Sequence, residues 1–345
     1  LRKLPISLTS IMLIIGMIIL AVYLYFVGFW NVVNLIRSLD PWLALSTIAI
    51  DVICFGLYAY TWKILIKKGM KFRNCLEIVL VSMFADLMIP TGSVSMEVMR
   101  VSLTQKRTKM SLGEVIASIL LQRVLLVVSF GVVLALSLAA LIVTVKMPLV
   151  ELLIFAIVAV GCLIGGALGM YAAFNCKRFS GLIENWAERI GRIIRFFRPR
   201  YDIGKAKEQI LKGVESFDES IAGLNRSHIV ASTIILILWW LLTATIPYLM
   251  FVSLHYQISF IIVLTVAIFI NMVGLIPIGI PGDVGVIEIS MTALFVSFGV
   301  PATIAASVTI LTRLVLFWFE LAISGLATSW QGIRGMLTGN SRAIE

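Results

Sequence analysis

Pro277-Ile278-Gly279-Ile280-Pro281-Gly282-Asp283-Val284-Gly285-Val286-Ile287-Glu288 interrupts a stretch that is otherwise apolar. No single helix crosses two prolines and three glycines at this density without breaking. Residues 259–276 before the break and 286–298 after it are each short of the ~20 residues that a spanning helix needs. A second break, Ile89-Pro90-Thr91-Gly92, ends a weaker apolar stretch at 75–89 that carries Glu77 and Asp86. The two breaks match in order. Glu97 stands seven residues after Pro90, and Glu288 seven after Pro281. Arg123 follows Glu97 by 26 residues inside the next apolar run, and Arg313 follows Glu288 by 25. Small residues precede each arginine, Ala117-Ser118 in one case and Ala305-Ala306-Ser307 in the other.

The composition identifies the solvent. Of 345 residues 60% are hydrophobic and 13% charged, with a mean hydropathy of +1.05. Soluble chains average about 45–50% apolar and about 25% charged. Too few charges remain to cover a water-facing surface, which excludes a soluble enzyme, a disordered chain and a secreted disulfide scaffold. Cys54, Cys75, Cys162 and Cys176 show no CxxC spacing and read as free thiols, most of them in or beside apolar runs. His228 and His255 are the only histidines, so no histidine-rich metal site is expected. No nucleophile–base pair, metal cluster or nucleotide loop appears. A non-enzyme without cofactor or metal is the expectation.

Six runs are long enough to span: 11–30, 41–62, 112–145, 152–174, 229–254 and 302–328. The first lacks a short apolar core followed by a small-residue cleavage site, so it reads as a retained span. The two broken regions, about 75–104 and 259–298, read as re-entrant helical hairpins. This places both termini on one face of the bilayer, a reading the cations test. On that face fall Arg2 and Lys3, five cations from Lys63 to Arg73, four from Arg100 to Lys109, eleven from Lys177 to Arg226, and Arg334 and Arg342. The opposite loops hold only Arg37 and Lys146. The net charge of +10 therefore reflects topology rather than nucleic-acid binding, with both ends cytoplasmic at the cell membrane.

The expected fold class is an all-α polytopic membrane protein with six full spans and two re-entrant hairpins. Residues 1–145 and 146–345 each hold two spans, a hairpin and a final span, in opposite orientation. That is an inverted-topology repeat, an arrangement that secondary transporters use to place substrate where broken helices meet. The cytoplasmic stretch 175–228 has apolar residues at helical spacing from Phe179 to Phe197, with Arg189, Arg192, Arg195 and Arg198 around them. It reads as a basic amphipathic helix on anionic inner-leaflet lipid, or as a plain solvated hairpin. Gly161, Gly165 and Gly169 form a small-residue ridge suited to intrachain packing or to a homodimer.

Each ionisable group at mid-bilayer costs about 2.5–3.5 kcal/mol on insertion scales. Asp51, Asp86, Glu97, Arg123, Asp283, Glu288, Arg313 and Glu320 therefore need partners or water. Glu320, seven residues after Arg313, is expected on the same helix face. Two readings stay open: Glu97–Arg123 and Glu288–Arg313 are structural ion pairs, or these groups line a substrate cavity. A phosphate suits two arginines as bidentate partners, and the Thr91, Ser93 and Ser95 hydroxyls add donors. Surplus carboxylates suit a cationic headgroup moiety or a coupled proton.

The stretch from Pro90 through Gly92, Met96-Glu97 and Arg100, followed by Ala117 to Arg123, resembles the first signature of a known family. It is the flippase-like transmembrane domain of lysylphosphatidylglycerol synthases. Pro277 to Glu288 followed by Arg313 is similar to the second signature. The resemblance covers nearly the whole chain, without the soluble aminoacyl-transferase domain. Two positions depart from it: Met96 precedes Glu97 where the family has glycine, and Asp283 follows Gly282 where the family has a second glycine. The resemblance implies translocation of a phospholipid or lipid-linked substrate, with membrane lipids as partners. The expected function is a lipid flippase or scramblase, with Arg123, Arg313, Glu97, Glu288 and Arg100 at the site and Pro90, Gly92, Pro277, Pro281 and Gly282 at the breaks. The alternative is a secondary transporter of a small solute, coupled to protons through Asp51, Asp86 or Glu320.

Overall fold

A computed structural model of the protein describes residues 8–37, 40–66, 70–108, 110–144, 149–179, 181, 203–274 and 276–337. Helices make up all the regular structure among them: α1 (Leu8–Val27), α2 (Phe29–Arg37), α3 (Pro41–Leu65), α4 (Phe72–Met88), α5 (Val94–Arg107), α6 (Leu112–Thr144) and α7 (Leu149–Phe174). Further along the chain are α8 (Ile203–Ala222), α9 (Arg226–Ser253), α10 (Phe260–Val273), α11 (Val286–Ser297), α12 (Ala302–Arg313) and α13 (Glu320–Leu337). A π-helical segment, Leu314–Phe319, joins the last two. The basic stretch 182–202 lies outside the described residues, as do both chain ends.

Five of the described helices are long and apolar enough to cross a membrane: α3, α6, α7, α9 and the α12–α13 rod. The expected run at 11–30 is helical over most of its length, in the 20-residue α1. α1 stops at Val27, Gly28 takes a φ of 88°, and the chain restarts as the short α2. Only glycine enters that region without steric cost. α2 buries Val32 against Tyr23 and Ala306, which packs it onto α12.

Local signals set the ends of these helices. Pro41 occupies the first turn of α3, and the Asp40 carboxylate accepts from the Trp42 and Leu43 amides at 2.9 and 3.3 Å. Asn225 caps α9 and Ser259 caps α10 in the same way. The long helices α6 and α9 run through two buried clusters. One centres on Trp62, Ile78 and Leu121, the other on Leu134, Phe251 and Phe295. α3 packs along α9, which joins distant parts of the chain, and α6 packs along its sequence neighbour α7.

Each broken region is a helix, a break and a second helix: α4 and α5 pack on each other, as do α10 and α11. Gly92 and Ser93 take φ values of 59° and 69° in the first break; Gly279, Gly282, Asp283 and Gly285 all have positive φ in the second.

The glycine ridge of α7 points elsewhere than its spacing implies. Gly161 and Gly165 meet nothing within 4 Å, whereas a methyl group on Gly166 would overlap Val128 of α6. Gly169 also approaches α6, at Val124. Overpacking a tight contact costs about 1–3 kcal/mol. Gly166→Ala is therefore expected to lower the thermal unfolding midpoint in detergent, and Gly165→Ala to leave it in place.

Candidate functional site

The arginines of α6 and α12 each meet the glutamate of the preceding broken region. Arg123 donates through Nε to one oxygen of Glu97, and Arg313 donates through Nε to Glu288 at 2.8 Å. The matched spacing of proline, glutamate and arginine thus corresponds to matched contacts. The surroundings of the two pairs differ.

Glu97 sits in the first turn of α5, where the helix dipole favours an anion. Its second oxygen accepts from Arg100 at 3.0 Å. Arg100 is fully buried, stacked over the Trp62 ring at 4.3 Å, and donates to Gln122 at 2.6 Å and to the Tyr58 hydroxyl at 3.3 Å. Gln122 is held in turn by the Tyr58 carbonyl at 2.9 Å. Arg100 does not reach the cavity; it fixes Glu97 from behind. Arg123 remains a quarter exposed. Nε bonds to Glu97 and Nη2 donates weakly to the Met96 sulfur at 3.9 Å, which leaves further N–H donors of the guanidinium at the cavity wall.

Glu288 is held more tightly. Its other oxygen accepts from the Gly285 amide at 2.7 Å, closing the first turn of α11. Arg313 also donates through Nη2 to the Gly282 carbonyl and stacks on Phe317 at 4.6 Å. With the side chain of Glu288 only 4% exposed, this pair clamps the second break onto the end of α12. Glu288 does not face the cavity.

Between the broken regions lies a cavity of about 730 Å³. Pro90, Gly92, Pro277 and Gly282 contribute to its wall, so the two breaks face a common space. Its charged lining is Asp51, Asp86, Glu97, Arg123, Asp283, Arg313 and Glu320. Asp86 accepts from the Ser93 and Ser95 hydroxyls at 3.1 and 3.3 Å, which folds the first break around that carboxylate. Thr91 instead accepts from the Ser95 amide at 2.9 Å, so its oxygen caps α5. Much of the remaining lining is apolar, including Phe55, Leu120, Val127, Phe130 and Ile270.

Arg313 and Glu320 both line the cavity, although a π segment stands between them. The π segment between them adds a residue to the helical turn, which rotates α13 relative to α12 by about 100°. Arg313 bonds to Glu288 and Gly282, while Glu320 and Asp51 of α3 open on the cavity. Among the described residues no group of three His, Cys, Asp or Glu side chains is placed to hold a metal ion.

These features define an all-helical, multi-pass membrane protein with two broken helical regions around a charged cavity. The chain belongs to the family described as the lysylphosphatidylglycerol synthase TM region, which it matches over residues 11–324. It is similar to a UPF0104 membrane protein of Pyrococcus horikoshii, 27% identical over 92% of this chain and 95% of that one. UPF0104 membrane proteins of Methanothermobacter thermautotrophicus and Methanocaldococcus jannaschii are each 22% identical, covering 94% and 91% of this chain and 95% and 92% of theirs.

Proposed function

We propose that the protein is a lipid flippase or scramblase that moves a phospholipid or lipid-linked headgroup through the cavity between its broken helices. One observation carries this reading. A charged cavity with an otherwise largely apolar wall receives two interrupted helices and the two arginines of the flanking spans. Its volume is that of a small-molecule site, enough for a headgroup while acyl chains stay in the bilayer. Family membership supports a lipid-related role, since the family is described by the membrane region of a lipid-modifying enzyme.

In this account both broken regions are re-entrant hairpins of an inverted repeat, with both termini cytoplasmic and the protein in the cell membrane. The basic segment within 175–228 rests on anionic lipid. The chain translocates and performs no covalent chemistry. Arg123 receives the headgroup phosphate, because Nη1 has no partner among the described residues and Nη2 has only the weak Met96 sulfur acceptor. Arg313 contributes its field while holding the second break closed. The carboxylates outnumber the arginines in the lining, which suits a headgroup that carries an amine beside its phosphate.

Arg123→Gln tests the reading. The substitution removes a charge-assisted bond to phosphate worth about 1.5–3 kcal/mol, so transfer should fall at least about tenfold. The measurement is transfer of headgroup-labelled lipids in proteoliposomes, with folding checked by the thermal midpoint. Equal rates for wild type, Arg123→Gln and empty liposomes with every headgroup would reject it. The surplus acids favour a second reading, a proton-coupled transporter of a small cationic solute. Solute uptake without lipid transfer would select it.

A further inference from the structure

Three polar atoms of residues in the cavity wall are buried and have no hydrogen-bond partner among the described residues. They are Asp51 Oδ2 on α3, Trp240 Nε1 on α9 and Thr312 Oγ1 on α12. Each residue is at most 5% exposed. Buried polar groups are costly to leave unpaired, and three in one wall call for a ligand.

Contacts between the helices place them. α3 and α9 run antiparallel: Asp40 bonds to Ser253, Cys54 Sγ meets Thr243 Oγ1 at 3.8 Å, and the Tyr58 and Trp239 ring centroids lie 6.1 Å apart. Asp51 stands one turn from Cys54 in one direction, and Trp240 one turn from Thr243 in the other. About six residues of rise, or about 9 Å, therefore separate the two levels. Within this interval lies the Thr243 carbonyl, to which Pro247 offers no N–H. Thr312 belongs to the same junction. α12 packs on α9, and the π segment directly after Thr312 packs on α3.

The types of the three atoms narrow the ligand. An indole N–H only donates, a carboxylate oxygen only accepts, and a hydroxyl does both. An ammonium pairs with Asp51 and Thr312 but leaves the indole unmatched. A phosphate pairs with the indole and Thr312 but meets the carboxylate with like charge. Hydroxyl groups match all three, and an interval of about 9 Å takes several of them on one rigid group.

We propose that Asp51, Trp240 and Thr312 form a polyol subsite, which takes the hydroxyls of a sugar or similar polyhydroxylated group whose phosphate sits at Arg123. Trp240 packs against Phe130, ring centroids 5.4 Å apart, and Phe130 lies two turns along α6 from Arg123. The subsite thus follows the phosphate position along the cavity. Trp239 lines the same wall and adds an apolar ring for the C–H face of a sugar. An amine on the same headgroup has Asp283 of the lining to meet. That the phosphate-bearing molecule is a lipid rests on the flippase reading.

Calorimetric titration of the full chain in detergent tests the proposal with four probes. They are short-chain phosphatidic acid, phosphatidylethanolamine and a phosphatidyl-hexose of the same chains, and free hexose phosphate. Wild type is expected to bind the hexose lipid at least about tenfold more tightly than the other two lipids, since each matched buried hydroxyl adds about three- to tenfold. Trp240→Phe deletes the N–H and keeps a ring; Thr312→Val deletes the hydroxyl and keeps the shape. In each, the ratio of hexose-lipid to phosphatidic-acid affinity is expected to fall about three- to tenfold. Ser232→Ala is the control. Its hydroxyl is also buried and unpartnered among the described residues, but it lies outside the cavity lining, so the ratio should hold.

Equal affinities for the three lipids overturn the proposal and leave the flippase reading standing. So does tighter binding of the ethanolamine lipid, which assigns Asp51 to an ammonium, and so does a hexose preference unchanged in both variants. Binding of free hexose phosphate that weakens in both variants, with no lipid bound, rejects the flippase reading and leaves the polyol subsite in place. No binding by any probe overturns both.

Discussion

Glu288→Ala is expected to destabilise the protein by about 3–5 kcal/mol, the cost of leaving one member of a buried ion pair alone. The side chains of Glu288 and Arg313 are 4% and 12% exposed, so water does not replace the lost partner. The substitution also leaves the Gly285 amide without its acceptor at the start of α11. Arg313 would keep only the Gly282 carbonyl and the Phe317 ring. Glu97→Ala is expected to cost less. Glu97 is a fifth exposed, and Arg100 retains Gln122, Tyr58 and Trp62 when the carboxylate is gone. Replacing Glu288 and Arg313 together with methionine should recover much of the loss, since a buried pair contributes little beyond an apolar substitute of similar volume. Thermal unfolding of the four proteins in one detergent decides the matter. Equal losses for Glu288→Ala and Glu97→Ala would contradict the asymmetry between the two pairs.

Gly282→Ala is the second large effect. Gly282 has a φ of 61°, and its added methyl would overlap the Phe317 ring. The backbone conformation costs a non-glycine residue about 1–2 kcal/mol. Displacing a packed ring adds about 1–3 kcal/mol. The ring cannot move freely, because Arg313 stacks on it and binds the Gly282 carbonyl. Gly279 is the internal control. Its φ is 89°, yet a methyl there meets nothing within 4 Å. Gly279→Ala should therefore show the backbone cost alone. A thermal midpoint for Gly282→Ala no lower than that of Gly279→Ala would show that Phe317 yields readily.

The parts of this architecture visible in the sequence are those that membrane physics makes obligatory. A proline–glycine break in an apolar run has to interrupt a helix, so both broken regions were legible to within a few residues of their helices. A glutamate and an arginine buried in apolar runs need partners, so Glu97–Arg123 and Glu288–Arg313 followed from matched spacing. The obscure features leave no mark in composition. Leu314-Val315-Leu316-Phe317-Trp318-Phe319 is apolar on every side and reads as ordinary helix, though it forms the π segment. That segment resets the register between Arg313 and Glu320, which a uniform helical period does not reveal. One glycine, Gly28, ends α1 a few residues before the expected end of the first run, and a single glycine is a weak signal. The α7 ridge shows a similar limit. Spacing identifies a face rich in glycine, but the position of α6 selects Gly166 and Gly169 for contact. Arg100 reads as a site residue because it is a charge beside a break, and only packing reveals that it supports Glu97 from outside the cavity.

The central claim is that a lipid headgroup enters the cavity between the broken helices. A structure of the protein in lipid nanodiscs, with Arg123→Gln prepared in parallel, tests it most directly. The account predicts headgroup density with its phosphate against the Arg123 guanidinium, acyl chains leading out into the bilayer, and loss of that density in the variant. A cavity from which lipid is absent while ordered water or a small solute contacts Arg123 would contradict it.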